Sequence, residues 1–216
     1  MLKVIAFDFD GTLADSVDFC LEVFDIVFAR YAGEKAPCRE DIYQHFGMNE
    51  AGVLRYFFGK PFPEAENDFY TLHRELHPKM CPDVFPGCRA LLDFLREKEI
   101  KLAILTGRSE TTCNISMEVL GLSDYFVSFQ YGSPEKNDKA AQLRNLMQQY
   151  SLQPDEIVYI GDAVSDAESS HAAGVKCLSA AWAKSARIAE LEKINPGLVF
   201  TSVTAMQEYL AAEFLK

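Results

Sequence analysis

Short apolar runs alternate with helical stripes along most of the chain. "LKVIAFD" (2–8) is a near-continuous apolar run that ends in an acid, the pattern of a strand buried on both faces of a parallel sheet. Similar runs recur at "IKLAILT" (100–106), "YFVSFQY" (125–131), "EIVYIGD" (156–162) and "GVKCLS" (174–179), with a weaker one at "GLVFTS" (197–202). Between them the apolar positions take helical spacing: Cys88, Leu91, Leu92 and Leu95 share one face, and Leu143, Leu146, Met147 and Tyr150 share another. A last helix is expected from about Val203, carrying Met206, Leu210 and Phe214. Strands alternating with helices predict an α/β fold, a doubly wound, Rossmann-like parallel sheet with right-handed crossovers.

One interval breaks the rhythm. From Ser16 to about Pro82 there is no strand pattern. Cys20, Leu21, Phe24, Val27, Phe28 and Tyr31 form the stripe of one long helix, and further helices are expected at 39–46, 50–58 and 63–76. A segment of that length is too long for a connecting loop. It predicts a small all-helical cap domain over 16–82, set into a core domain made of 1–15 and 83–216, with "CPDVFPG" (81–87) as the hinge.

Composition narrows the function. Net charge is −11, from 21 basic and 32 acidic residues, which argues against nucleic acid or a membrane surface as partner. Any anionic ligand then needs a local metal ion or a placed lysine. The six cysteines show no CxxC or zinc-like spacing and are expected to be buried apolar residues in a reducing compartment. With the first strand starting at Leu2 and no apolar run of about 18 residues, neither a signal peptide nor a membrane span is expected, which predicts a cytoplasmic protein.

The candidate chemistry lies at the carboxyl ends of the expected strands, where α/β folds place ligands. Strand one ends in Asp8 and Asp10, strand two in Thr106-Gly107-Arg108, and strand four in Gly161-Asp162, with Asp166 four residues on. Acids converging on one crevice repel one another unless a hard divalent cation lies between them, and Mg²⁺ favours one or two carboxylates together with phosphate oxygens. The acids thus predict magnesium, and magnesium predicts a phosphate.

"DFDGT" (8–12), "LTGRS" (105–109) and "GDAVSD" (161–166) resemble the motifs of the haloacid dehalogenase-like phosphohydrolases. "FPGCRALLDFLREKEIKLAILTGRS" and "DAESSHAAGV" resemble the phosphoglycolate-phosphatase-like subfamily, which carries a helical cap after the first motif. The resemblance implies a Mg²⁺-dependent phosphatase acting on a small phosphorylated metabolite through an aspartyl-phosphate. Asp8 would be the nucleophile and Asp10 the general acid/base. The metal would take side-chain oxygens of Asp8 and Asp162 and the backbone carbonyl of Asp10. Thr106, with backbone amides near Thr12 and Gly107, would hold the phosphoryl group beside Arg108, and Asp166 would orient a lysine. That lysine usually stands in a Lys-Pro pair after the third strand, and "GSPEKNDKAAQLRNL" (132–146) contains none. Lys136 and Lys139 remain, and the helix-capping residues Asn137-Asp138 before it favour Lys139. In similar proteins a loop joining two cap helices enters the active site, which makes His45, Phe46, Met48 and Asn49 near Gly47 candidates for reading the substrate, although a plain helix connection explains them equally well.

Rival readings are available. A sugar phosphomutase of the β-phosphoglucomutase type would share the nucleophile and the acid/base. A non-catalytic module binding Mg²⁺ or phosphate would share the acids without turnover. His73 and His77 in "HRELH" have the i, i+4 spacing of a metal pair but no third ligand, so they are expected on a solvated helix face.

Overall fold

The computed structural model describes residues 1–135 and 138–214. Six strands form one sheet: β1 (Val4–Phe7), β2 (Lys101–Leu105), β3 (Phe126–Gln130), β4 (Ile157–Gly161), β5 (Lys176–Ala180) and β6 (Val199–Phe200). Their order is β3-β2-β1-β4-β5-β6 and every pairing is parallel. β1 lies in the middle, with Ala6 opposite Ala103 on one side and Tyr159 on the other. The chain builds outward from β1 through β2 to β3, then returns to β1 and builds the other way. The crevice at the carboxyl end between β1 and β4 is therefore the switch point.

The near-continuous apolar runs have their cause in burial on both faces. In β1, Ile5 and Phe7 join one core while Val4 and Ala6 join the other. β2 divides the same way, Leu102 and Ile104 against Ala103 and Leu105. The first core takes Leu91, Leu92 and Leu95 of α5 (Cys88–Glu97), Cys113 and Met117 of α6 (Glu110–Val119), and Met206 and Leu210 of α10 (Val203–Phe214). The second takes Leu143 and Leu146 of α7 (Lys139–Tyr150) and Ala167 of α8 (Val164–Ala173). A further helix, α9 (Ile188–Ile194), precedes β6.

Between β1 and β2 lie α1 (Val17–Ala32), α2 (Arg39–Tyr43), α3 (Glu50–Phe58) and α4 (Pro63–Met80), with one 3-10 turn and no strand among them. This is the helical cap. Phe24, Phe28 and Phe69 pack at its centre and run into the first core of the sheet. Two element ends differ from expectation. α2 stops at Tyr43 because the chain turns through His45 and Phe46, and α4 continues past 76 to Met80. Five cysteines are buried as expected, whereas Cys38 is exposed. No helix among the described residues is long and apolar enough to cross a membrane.

Candidate active site

Asp8 follows β1 directly, and its N–H continues the ladder to Ile160 O at 2.8 Å, so its position is fixed by the sheet. The chain then makes a tight turn in which Phe9 O accepts from the Thr12, Leu13 and Ala14 N–H groups. Gly11 turns with φ +74°, and a Cβ there would stand 2.2 Å from Asp162 Oδ2. Only glycine lets this turn sit against the loop after β4.

Three carboxylates meet at this point. Oxygen atoms of Asp8, Asp162 and Asp166 all lie within 4.8 Å of one another. Burial pushes the Asp8 carboxyl up to about 7, with Asp166 and Asp10 adding to the rise and Lys139 opposing it. Asp162 is likewise raised, by burial and then by Asp166 and Asp8. An all-oxygen donor set whose members resist ionising together fits a hard divalent cation such as Mg²⁺.

Lys139 supplies part of the missing charge. It opens α7, whose N-cap Asp138 accepts from Ala141 N–H at 2.9 Å. Its Nζ lies 3.0 Å from Asp8 Oδ2 and also donates to Asp166 Oδ1. Burial disfavours its charge, but Asp166 and Asp8 outweigh burial and hold its pKa above the usual lysine value. Asp166 is fully buried and held from three sides: Oδ1 also accepts from Tyr159 Oη at 3.2 Å, and Oδ2 accepts from Ala163 N–H at 3.0 Å. Lys136, the rival lysine, lies outside the described residues.

Asp10 turns away from this cluster. Arg108 donates Nε to its Oδ2 at 2.9 Å and Nη2 to its Oδ1 at 2.6 Å, and Ser16 Oγ donates to Oδ1 at 2.6 Å. The guanidinium lies over the Phe9 ring, 4.5 Å from its centre, and its Nη1 donates to Ser116 Oγ at 2.6 Å. Burial raises the Asp10 carboxyl, but Arg108 and Ser16 win and hold it below the usual carboxylate value. Arg108, expected on the phosphate, is thus occupied with Asp10.

His73 and His77 are not on a solvated face. Both are fully buried between cap and core. The Nε2 atoms lie 3.3 Å (His73) and 2.9 Å (His77) from Ser116 Oγ, and His73 Nε2 stands 3.2 Å from Arg108 Nη1. Burial first, then Arg108, lowers both imidazoles, His77 to about 4. A carboxylate-arginine pair on the core had no pattern to reveal it in the sequence, so α4 showed no reason to face two imidazoles inward.

A cavity of about 270 Å³ opens over the site, lined on the core side by Asp8, Asp10, Gly107, Arg108, Lys139 and Asp162. Phe46 and Met48, on the loop at Gly47, reach it from the cap. His45 does not line it: its ring stacks on Tyr56 with centroids 3.9 Å apart, and Nδ1 contacts Asp41 O. Asn49 instead caps α3, accepting from Gly52 N–H at 3.0 Å. Thr12 and Thr106 are fully buried off the cavity wall. The Thr12 hydroxyl donates to Asp162 Oδ1 at 3.2 Å and ties the loops after β1 and β4 together, and Thr106 Oγ1 accepts from Arg108 N–H at 3.2 Å and braces the turn that carries Arg108. Ser16 and Ser116 were missed as site residues, because a serine becomes informative only once its partner is placed.

Known proteins resemble this chain in sequence and in fold. The family described as haloacid dehalogenase-like hydrolase matches residues 5–180. A phosphoglycolate phosphatase of Chromobacterium violaceum is 28% identical over 191 residues, covering 84% of this chain and 86% of its own. One from Pseudomonas putida is 26% identical over 189 residues, covering 82% and 68%. Among solved structures, a haloacid dehalogenase-like family hydrolase of Streptococcus pneumoniae superposes with a TM-score of 0.72 at 21% identity, covering 97% of this chain and 98% of that one. CbbY of Rhodobacter sphaeroides, crystallised with phosphate, gives 0.68 at 18% identity over 83% and 86%. The chain belongs to the haloacid dehalogenase-like hydrolases.

Proposed function

We propose that this haloacid dehalogenase-like phosphatase transfers the phosphoryl group of a small phosphomonoester first to Asp8 and then to water. The observation that carries the reading is the setting of Asp8: a carboxylate at the switch point, on the cavity wall, 3.0 Å from a partly buried lysine and grouped with two further acids. The names of the curated relatives support the same class of reaction.

Asp8, Asp162 and the backbone carbonyl of Asp10 would hold Mg²⁺, which when bound draws charge from the phosphoryl oxygens. An Asp8 oxygen attacks phosphorus while the bond to the ester oxygen breaks, leaving an acyl phosphate on Asp8 and an alkoxide that takes a proton from Asp10. A water then loses its proton to Asp10 and attacks phosphorus, which frees inorganic phosphate and restores the Asp8 carboxylate. Lys139 lowers the cost of bringing an anionic phosphate to an anionic nucleophile, and Asp166 aims the lysine. Arg108 and Ser16 hold Asp10 ionised, the form needed to accept a proton from water. Before the first step Asp10 must carry a proton, so the Arg108 contact loosens during the cycle.

Hydrolysis of p-nitrophenyl phosphate tests the reading. Wild type should show Mg²⁺-dependent turnover without a bisphosphate activator, and Asp8→Asn should show none. Equal background rates for the two proteins favour a non-catalytic binding module, and dependence on a bisphosphate favours a mutase.

A further inference from the structure

We infer that the leaving group of the substrate is uncharged and largely apolar, an alkyl or aryl alcohol, and carries no second anion. This rests on the phosphatase reading and narrows it. The phosphoryl end of the cavity is fixed by Asp8 and Lys139 on the core, so whatever the phosphate is attached to must face the cap. There the wall is Val17 and Phe24 from α1, Tyr43 and Phe46 from α2 and the turn after it, Met48, and Val53 from α3. Apart from the Tyr43 hydroxyl this wall is carbon, which favours an apolar group, whereas a carboxylate or second phosphate placed against it loses hydration and gains at most that one donor.

The cap also contributes a charge of the wrong sign for a second anion. Glu50, in the first turn of α3, lines the cavity and is only 7% exposed. Its position is set from the core: Oε2 accepts from Ser109 N–H at 3.0 Å and Oε1 accepts from Thr112 Oγ1. The cap backbone closes tightly on the core beside it, since a Cβ at Gly52 would stand 2.3 Å from Pro134 O. Swinging the carboxylate clear of an incoming anion would break both of its hydrogen bonds to the core.

The cations among the described lining residues do not offset it. Lys139 is shared between Asp8 and Asp166, and Arg108 between Asp10 and Ser116. Arg187 stands with its side chain 65% exposed and pairs with Glu190 at 3.2 Å, where solvent screens it. A distal anion in this cavity would face Glu50 and hydrocarbon, and of these three cations only the solvent-exposed Arg187 is not committed to a carboxylate of the core site.

The test compares n-propyl phosphate with 2-phosphoglycolate, both of which expel an alkoxide, so that leaving-group chemistry does not decide the result. Wild type should favour propyl phosphate by about tenfold or more in kcat/KM, mainly through KM. Glu50→Gln, which keeps an acceptor for Ser109, should raise the phosphoglycolate-to-propyl ratio several-fold, and Met48→Arg, which adds a cation to the apolar wall, should raise it by about tenfold. Preference of wild type for phosphoglycolate or for a sugar bisphosphate overturns the inference and leaves the phosphatase reading standing. Ratios unmoved in both variants overturn it as well. Absence of Mg²⁺-dependent turnover on every ester would bring down the phosphatase reading itself, and this inference with it.

Discussion

The guanidinium of Arg108 grips the carboxylate of Asp10 along one edge, Nε to Oδ2 at 2.9 Å and Nη2 to Oδ1 at 2.6 Å. Phe9, the residue between the two acids of "DFDG", lies beneath it, 4.5 Å from ring centre to guanidinium. The pair therefore separates two carboxylates that stand two positions apart in sequence. Asp8 is left to the cluster at the carboxyl end of the central strands, and Asp10 is directed toward the cap.

Arg108→Lys removes the planar fork while keeping a charge. kcat/KM should fall by about 10- to 100-fold. Without the fork the Asp10 carboxyl rises from its lowered value, so the limb of the kcat/KM profile on which Asp10 loses the proton it donates, the basic one, should move to higher pH. A loss of equal size at every pH would instead mean that Arg108 serves the fold alone.

Lys139→Ala leaves Asp8, Asp162 and Asp166 facing one another without the cation between them. Activity should drop by about 10²- to 10³-fold, and the metal-free protein should lose about 3 kcal/mol of stability near neutral pH. Lys136→Ala should do far less to either quantity. Similar losses in the two variants, measured by steady-state kinetics and urea unfolding, would overturn the assignment.

His73 and His77 are held neutral in the fold, with values below the 6.5 of an ordinary imidazole, about 4 for His77. The unfolded chain takes up protons that the folded one refuses, so stability falls as pH drops from about 6.5 toward about 4. Each histidine contributes up to about 1.4 kcal/mol per pH unit within its window. His77→Gln cannot titrate yet still reaches Ser116, and its urea midpoint should fall less steeply with acid than that of wild type. Parallel slopes would contradict a neutral buried imidazole.

Asp8 has the opposite sign. Its folded value, about 7, stands above the ordinary 3.8, so the metal-free fold loses stability as pH rises through that interval. A bound cation takes the place of the proton, and millimolar MgCl₂ should raise Tm more at about pH 8 than at about pH 5. Asp162→Asn should abolish most of the difference. A shift independent of pH, or intact in the variant, would place the cation elsewhere.

The sheet was legible because burial on both faces writes a near-continuous apolar run, as in residues 4–7, and the cap because helical stripes replaced that pattern over a long interval. Asp8, Lys139 and Asp162 were legible because their strand ends or helix start fix where they fall. Side chains whose role depends on a partner across the cap-core seam were not. The imidazoles of His73 and His77 face inward only because Ser116 and Arg108 wait there, and Glu50 lines the cavity only because Ser109 and Thr112 hold it. His45 shows the reverse error, since a polar residue on the right loop turned outward onto Tyr56.

The account stands on a covalent bond to Asp8, and chemical trapping reads that bond directly. Protein quenched in acid during turnover of p-nitrophenyl phosphate, reduced with borohydride and mapped by peptide mass spectrometry should carry the side-chain alcohol of a reduced acyl phosphate at position 8. Turnover that proceeds with residue 8 unmodified, or with the label on another residue, would contradict it.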